Sequence, residues 1–352
     1  MCAIAYEGIE MLDEYGGVLL RCDELQYHSL PSREQLTKQL VKNLEAALRE
    51  HAVSFNEIQP ACQFIYIKTT NISEVTRVSS GVFGVSSVSP VIVSSTIDAD
   101  SLPSNHAFYK EECDNKVFLS TEKVDGVGGL PTGSQGRVVC TISGGLDSPI
   151  AAYKMMKRGC VPVFLHFDNV PYGDESTRNL AIRQAKRLSE YIHGHEIKMY
   201  VVPHGDDLTE VLRHAPRKMT CIFCRRNMYR LAQEVALLEN ADAIVTGEII
   251  GEQASQTTRN LLAENSAISE IPIMRPCIGD DKVEVEKMAM KIRTYDFAQE
   301  AVSCCSLPPK YPTVCSKLDI IDPIEEKMNM DWKASEISEA EVIILKDGNA
   351  ND

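Results

Sequence analysis

The chain has 352 residues, 44% hydrophobic and 24% charged, with a formal net charge of −14 and twelve cysteines. That length allows two or three domains and a large buried core, and the composition excludes collagen-like and disordered classes. No run approaches the roughly 18 apolar residues of a membrane span, and Met1 opens neither a basic region nor the apolar stretch of a secretion signal, so the expected setting is cytoplasmic with no membrane partner.

In chain order, residues 17–22 read as a strand and residues 33–50 as an amphipathic helix, with Leu36, Leu40, Val41, Leu44 and Leu48 on one face. Residues 63–68 alternate as a second strand and 91–93 form a third. Between Gly126 and Gly136 five of eleven residues are glycine, which marks a linker or a loop of close approach. The pattern then changes. Strands are expected at 138–142, 161–167, 197–202 and 243–245, with helices at 149–158, 175–193 and 222–238 between them. Such alternation argues for a parallel sheet with helices on both faces, whose ligands sit at the carboxyl ends of the strands. The expected division is 1–50, 51–122, a linker at 123–137, a large α/β domain at 138–320, and an acidic tail at 321–352. From Lys317 to Asp352 ten acidic residues stand against four basic ones.

Ser143-Gly144-Gly145-Leu146-Asp147-Ser148-Pro149 lies between the first strand and helix of the α/β domain. Two glycines permit a tight turn with backbone N–H groups close to an anion. Ser143 and Ser148 add hydroxyls, Pro149 suits a first helical turn, and the helix start favours negative charge. Asp147 repels a bare anion, so its expected task is to hold Mg²⁺, which holds phosphates in turn. The loop lacks the lysine pattern of a Walker A motif.

Without a secretion signal, twelve cysteines argue against a disulfide framework and for thiol or metal chemistry. Cys2, Cys22, Cys62, Cys113, Cys140, Cys160 and Cys277 are scattered and read as small buried hydrophobes. Cys221 and Cys224 form a C-x-x-C pair, and Cys304 and Cys305 a doublet with Cys315 beyond it. Six basic and no acidic residues lie between Arg213 and Arg230, which offers nucleic acid a local basic surface despite the acidic total.

The S-G-G-x-D-S loop is similar to that of the adenine nucleotide α-hydrolase-like, or PP-loop ATP pyrophosphatase, group. The stretches 128–136, 143–149 and 152–160, with Met228-Tyr229-Arg230, Thr246-Gly247-Glu248, residues 251–257 and Tyr311-Pro312-Thr313-Val314, resemble the tRNA 4-thiouridine synthetase (tRNA sulfurtransferase) family over roughly residues 126–320. The resemblance implies a doubly wound parallel sheet preceded by a smaller α+β region, ferredoxin-like and then THUMP-like. It implies adenylation of a tRNA uridine at O4 and its replacement by sulfur, with ATP converted to AMP and pyrophosphate and Mg²⁺ as cofactor, and it allows a homodimer.

For the ATP site it implies Thr141, Ile142, Ser143, Gly144, Gly145, Asp147 and Ser148, then His166 and Phe167 beside adenine, with Arg225, Gly247 and Gln256. A catalytic cysteine seven residues before the proline of Pro-Thr-Val falls on Cys305, with Cys304 adjacent. The C-x-x-C is similar to the archaeal-type branch, in which Cys221, Cys224 and Cys305 would ligate an iron–sulfur cluster. Zinc or a redox pair are the competing readings of these thiols. The THUMP-like part is shorter than in the family and no rhodanese domain follows, so sulfide or an external persulfide carrier would supply sulfur. Another sulfur acceptor (a thiamine thiazole precursor or 2-thiouridine) and a non-catalytic RNA-binding iron–sulfur sensor are the alternatives.

Overall fold

Alternation with a period of two sets the first sheet. In the computed structural model, which describes residues 15–94, 109–300, 305–328, 335–346 and 349–351, the chain divides into two units. One holds residues 1–134 with 157–159 and 191–194, and the other the remainder. The first unit is built from β1 (Gly17–Arg21), α1 (Leu30–Glu50), β2 (Glu57–Ala61), β3 (Phe64–Lys68), α2 (Ile72–Ser80), β4 (Ser87–Ser94), β5 (Tyr109–Cys113), β6 (Lys116–Ser120) and β7 (Val124–Asp125). Its antiparallel sheet runs β2-β3-β1-β4-β6-β5, with β7 also on β4. Val18, Leu20, Ile65 and Ile67 pack against Leu36, Leu40, Leu44 and Leu48 of α1, with Val41 partly buried beside them. Leu19 and Tyr66 point the other way, to Val91 and Phe118.

One expectation is corrected here. Cys62 and Cys113 are joined in a disulfide between the β2–β3 turn and the end of β5, so they are not two separate buried thiols. Cys22, Cys140, Cys160 and Cys277 are buried as expected. Burial pushes the Cys22 thiol up to about 12, with Asp23 adding to it, and pushes Cys277 up to about 12 as well; such thiols are inert. Cys2 lies outside the described residues.

The second unit contains β8 (Arg137–Thr141), α3 (Asp147–Lys157), β9 (Val161–Asp168), α4 (Glu175–Ser189), β10 (Ile197–Pro203), α5 (Gly205–His214), α6 (Thr220–Leu238), β11 (Ala243–Val245), α7 (Thr258–Asn265), β12 (Ile273–Met274), α8 (Lys282–Ile292), α9 (Tyr295–Gln299), α10 (Leu318–Glu325), α11 (Ser335–Ser338), β13 (Glu341–Lys346) and β14 (Asn349–Asn351). Its sheet runs β12-β11-β8-β9-β10-β13-β14, and the first five strands are mutually parallel. This is the expected doubly wound arrangement. Val139, Val163, Leu165 and Val202 pack against Tyr229, Leu231, Ala232 and Val235 of α6. Strand order reverses at β8, because the chain moves outward to β9 and β10 and then returns to β11 on the opposite side. A crevice at the carboxyl end of β8 follows from that reversal.

The acidic tail expected at 321–352 is also corrected. β13 pairs antiparallel with β10 and buries Ile343 and Leu345, and α10 buries Ile321. The run of apolar residues 342–345 decides its fate more than the surrounding carboxylates do. No helix among the described residues is long and apolar enough to cross a membrane.

Candidate functional site

A cavity of ≈ 610 Å³ opens at the carboxyl ends of β8, β9 and β11, a size that suits a nucleotide-scale ligand. Thr141, Ile142, Ser143, Gly145, Asp147, Ser148, His166, Phe167, Arg225, Gly247 and Gln256 all line it, and so do Cys221, Cys224 and Cys305. Gly144 sits behind the wall at φ +81°, where a Cβ would lie 3.0 Å from the Thr177 carbonyl oxygen. Cys304 lies outside the described residues.

The loop after β8 is held from within. Ser148 Oγ accepts from the Ser143 amide at 3.0 Å and lies 3.1 Å from Ser143 Oγ, which accepts from the Gly145 amide at 3.3 Å. From α4, the buried Gln184 amide donates to the carbonyls of Gly144 and Gly145 at 3.0 and 2.9 Å. Those two carbonyls are thereby engaged by α4. Sequence reasoning missed Gln184, which reads as one polar residue on an amphipathic helix.

Gly247 approaches the same loop so closely that a Cβ there would stand 2.6 Å from Ser148 N and 2.8 Å from the Asp147 carbonyl carbon. Backbone atoms cannot yield as a flexible side chain can. Gly247→Ala is therefore expected to displace the start of α3 at a cost of about 1–3 kcal/mol and to weaken ATP binding. Thermal unfolding with and without ATP measures both effects.

Burial pushes the Asp147 carboxyl up to about 6, Glu252 adds to the rise, and Lys282 opposes it. Such a carboxylate gains from a bound cation. His166 is buried, and burial lowers its pKa, so the neutral ring donates from Nδ1 to the Ile142 carbonyl at 2.8 Å. It is both a satisfied core histidine and part of the wall. Thr141 Oγ1 donates to the Val245 carbonyl at 3.2 Å, tying β8 to β11.

The basic run at 213–230 is largely consumed inside the unit, which corrects the expected basic surface. Arg226 and Arg230 both make paired hydrogen bonds to Glu325 of α10 at 2.7–3.0 Å. Burial pushes the Glu325 carboxyl up, but the hydrogen bonds from Arg226 and Arg230 outweigh it and hold it down at about 2. Arg213 pairs with Glu210. Arg225 donates to Glu248 at 2.6 Å, so its charge reaches the cavity already countered. Glu248 is almost fully buried and also accepts from Thr246 Oγ1 at 2.9 Å, from Tyr229 and from Arg275.

Glu264 of α7 completes this group. It is fully buried, and neither carboxyl oxygen has a hydrogen-bond partner among the described residues. Burial pushes its pKa up to about 8, Arg225 opposes the rise, and Glu248 adds to it. A carboxyl raised in this way contributes stability that is complete below its unfolded pKa near 4.5 and is lost as pH rises through about 8. Glu264→Gln is expected to melt higher than the unaltered protein at pH 9, by roughly 5 °C or more, and to show no such gain near pH 4.5. Calorimetry across that range checks it.

The thiols reach the cavity from two segments. Cys221 and Cys224 stand one turn apart near the start of α6, and Cys305 reaches the cavity from the segment before α10. Cys224 Sγ lies 3.5 Å from Nε2 of the buried His204, whose Nδ1 is 3.1 Å from Asp207 Oδ2. Asn227 also donates to Asp207. These three polar residues carried no sequence signal, because strand end, helix start and α6 meet only in the fold.

A family model, Thiamine biosynthesis protein (ThiI), matches residues 133–330. A probable tRNA sulfurtransferase of Methanothermobacter thermautotrophicus is 42% identical over 64% of this chain and 57% of its own length. Over such relatives the chain spans a little more than half their length. One of Methanosarcina acetivorans is 31% identical over 94% of this chain and 93% of its own. Among solved structures, a 4-thiouridine synthetase in complex with RNA and bound ATP superposes with a TM-score of 0.80 at 23% identity, over 94% of this chain and 99% of that one. At that identity the likeness speaks for the fold.

Proposed function

The chain belongs to the ThiI family, and from that membership we propose that it is an ATP-dependent tRNA sulfurtransferase that forms 4-thiouridine. The observation that carries the reading is one cavity lined by the S-G-G-x-D-S loop, by His166 and Phe167, and by Cys221, Cys224 and Cys305. Its relatives bear the name tRNA sulfurtransferase, and its structural neighbour was captured with RNA and ATP.

In this reading ATP lies with its phosphates against the loop and the start of α3, where backbone N–H groups and the helix dipole favour negative charge. His166 and Phe167 flank the adenine. Asp147 would hold Mg²⁺, and its buried, raised carboxyl fits that task; the ion would neutralise the departing pyrophosphate. The uridine O4 attacks the α-phosphorus, pyrophosphate leaves, and sulfide-level sulfur then attacks C4 and expels AMP, leaving the thiocarbonyl. Cys221, Cys224 and Cys305, which line the same cavity, are the proposed thiolate ligands of an iron–sulfur cluster. A cluster bound by three thiolates would supply an iron position open to sulfide. Sulfide or an external persulfide carrier is the proposed sulfur source.

The test is thiouridine analysis of unmodified tRNA incubated anaerobically with the protein, ATP, Mg²⁺ and sulfide. Product that depends on ATP is the expected result. Absence of product from iron-loaded, ATP-binding protein would transfer the reading to another sulfur acceptor.

A further inference from the structure

The segment from Cys305 to Lys317 crosses the second unit as a strap. Ser306 N donates to the Tyr172 carbonyl at 2.8 Å and Thr313 N to the Lys218 carbonyl at 2.8 Å. Buried Asn260 of α7 takes the Thr313 carbonyl and the Ser316 amide at 2.9 Å each, and Thr257 takes the Val314 carbonyl at 2.7 Å. Pro309, Pro312 and Thr313 line the main cavity, yet Tyr311 between them is 76% exposed. A tightly fixed backbone therefore holds a large aromatic ring out in water at the mouth of the site. The Lys310 ammonium lies 5.5 Å from the centre of that ring. Exposing such a ring forgoes its burial energy, and nothing in the packing of the strap requires it.

Charge around the strap is also uncompensated. Arg217, Lys218, Arg259 and Lys317 are all exposed. None of the four, nor Lys310, forms an ion pair among the described residues. The neighbouring arginines of α6 are all countered by Glu248 or Glu325. Arg259 and Lys317 share a second cavity of ≈ 500 Å³ at the end of the strap, where Asp319 is the one carboxylate on the described wall.

We propose that Tyr311 is a stacking platform for the tRNA base that flanks the target uridine, with the phosphate backbone continuing to Arg259 and Lys317. This rests on the tRNA-modifying reading above. An enzyme that works on one base must draw it out of its stack into the cavity, which leaves the neighbouring base unstacked at the mouth. An aromatic face with an adjacent ammonium receives any base, because every base has a π-face. Cations with no ion-pair partner among the described residues take the phosphates, which are single negative charges at regular intervals.

Fluorescence anisotropy with an unmodified tRNA transcript, at several salt concentrations, tests the proposal alongside thiolation kinetics. Tyr311→Ala is expected to weaken tRNA binding by roughly 5- to 100-fold and to raise the KM for tRNA, with the affinity for ATP alone unchanged. Tyr311→Phe keeps the ring and should restore binding. Arg259→Ala with Lys317→Ala should flatten the dependence of log affinity on log salt by roughly 0.7 for each lost phosphate contact. Unaltered affinity in Tyr311→Ala, or a Tyr311→Phe variant as weak as the alanine, overturns the platform. Tyrosine-dependent tRNA binding without any thiouridine would sustain the platform and defeat the thiolation reading. No tRNA binding by the unaltered protein would defeat both.

Discussion

Replacing Cys305 by alanine is expected to abolish thiouridine formation, by a factor on the order of 10⁴ or more, while ATP binding persists. Cys305 lines the same cavity but belongs to a different segment from the residues that would contact ATP. Loss of its sulfur therefore removes the second chemical step, attack on C4, and spares the first. RNA-dependent exchange of pyrophosphate into ATP should survive, because adenylation requires the S-G-G-x-D-S loop, Asp147 and the uridine alone. Under the proposed cluster ligation, iron and acid-labile sulfide in anaerobically purified Cys305→Ala should fall together with activity, since two thiols of α6 cannot replace three. An active alanine variant would overturn the assignment of sulfur handling to Cys305. Because Cys304 is its immediate neighbour, Cys304→Ala is the necessary companion and should retain most activity.

Much of this site could be read before the fold was known, and the reason is local. Ser143 to Pro149 carry their chemistry within seven residues, and a strand and a helix bracket them in sequence. The four-residue spacing of Leu36, Leu40, Leu44 and Leu48 likewise needs no distant partner to announce a buried face. What escaped depends on long separations. The disulfide joins residues 51 positions apart. Arg226 finds Glu325 at a separation of 99, and pairings of that kind turn much of an apparent basic surface into ion pairs. Gln184 reaches the phosphate loop from 40 residues away. β13 is a different case. Its apolar residues were visible, but the sum of charges over the whole tail hid a short run that pairs with β10.

The largest effect on stability is expected from Glu248→Gln. Its carboxylate sits almost fully buried between Arg225 and Arg275 and accepts from Tyr229 and Thr246 as well. Burial pushes its pKa up, but the charges of Arg225 and Arg275 outweigh that and hold the carboxyl below the usual range. Its stabilisation is thus complete above pH 4.5 and is lost as pH falls below it. Removing the charge leaves two guanidinium groups facing one another, a loss of about 3–5 kcal/mol for a broken buried pair. One response within the structure reduces that figure. Glu248 is itself among the groups that keep Glu264 protonated, so its neutralisation lets Glu264 ionise and face Arg225 in its place. Glu248→Gln should therefore be partly self-compensating at pH 8, and the double variant Glu248→Gln with Glu264→Gln should lose more than the two single variants summed. A double-mutant cycle in urea at pH 8 measures that coupling. Additive losses would mean that Glu264 stays neutral whatever happens at Glu248, and that the two carboxyls do not share the charge of the arginines.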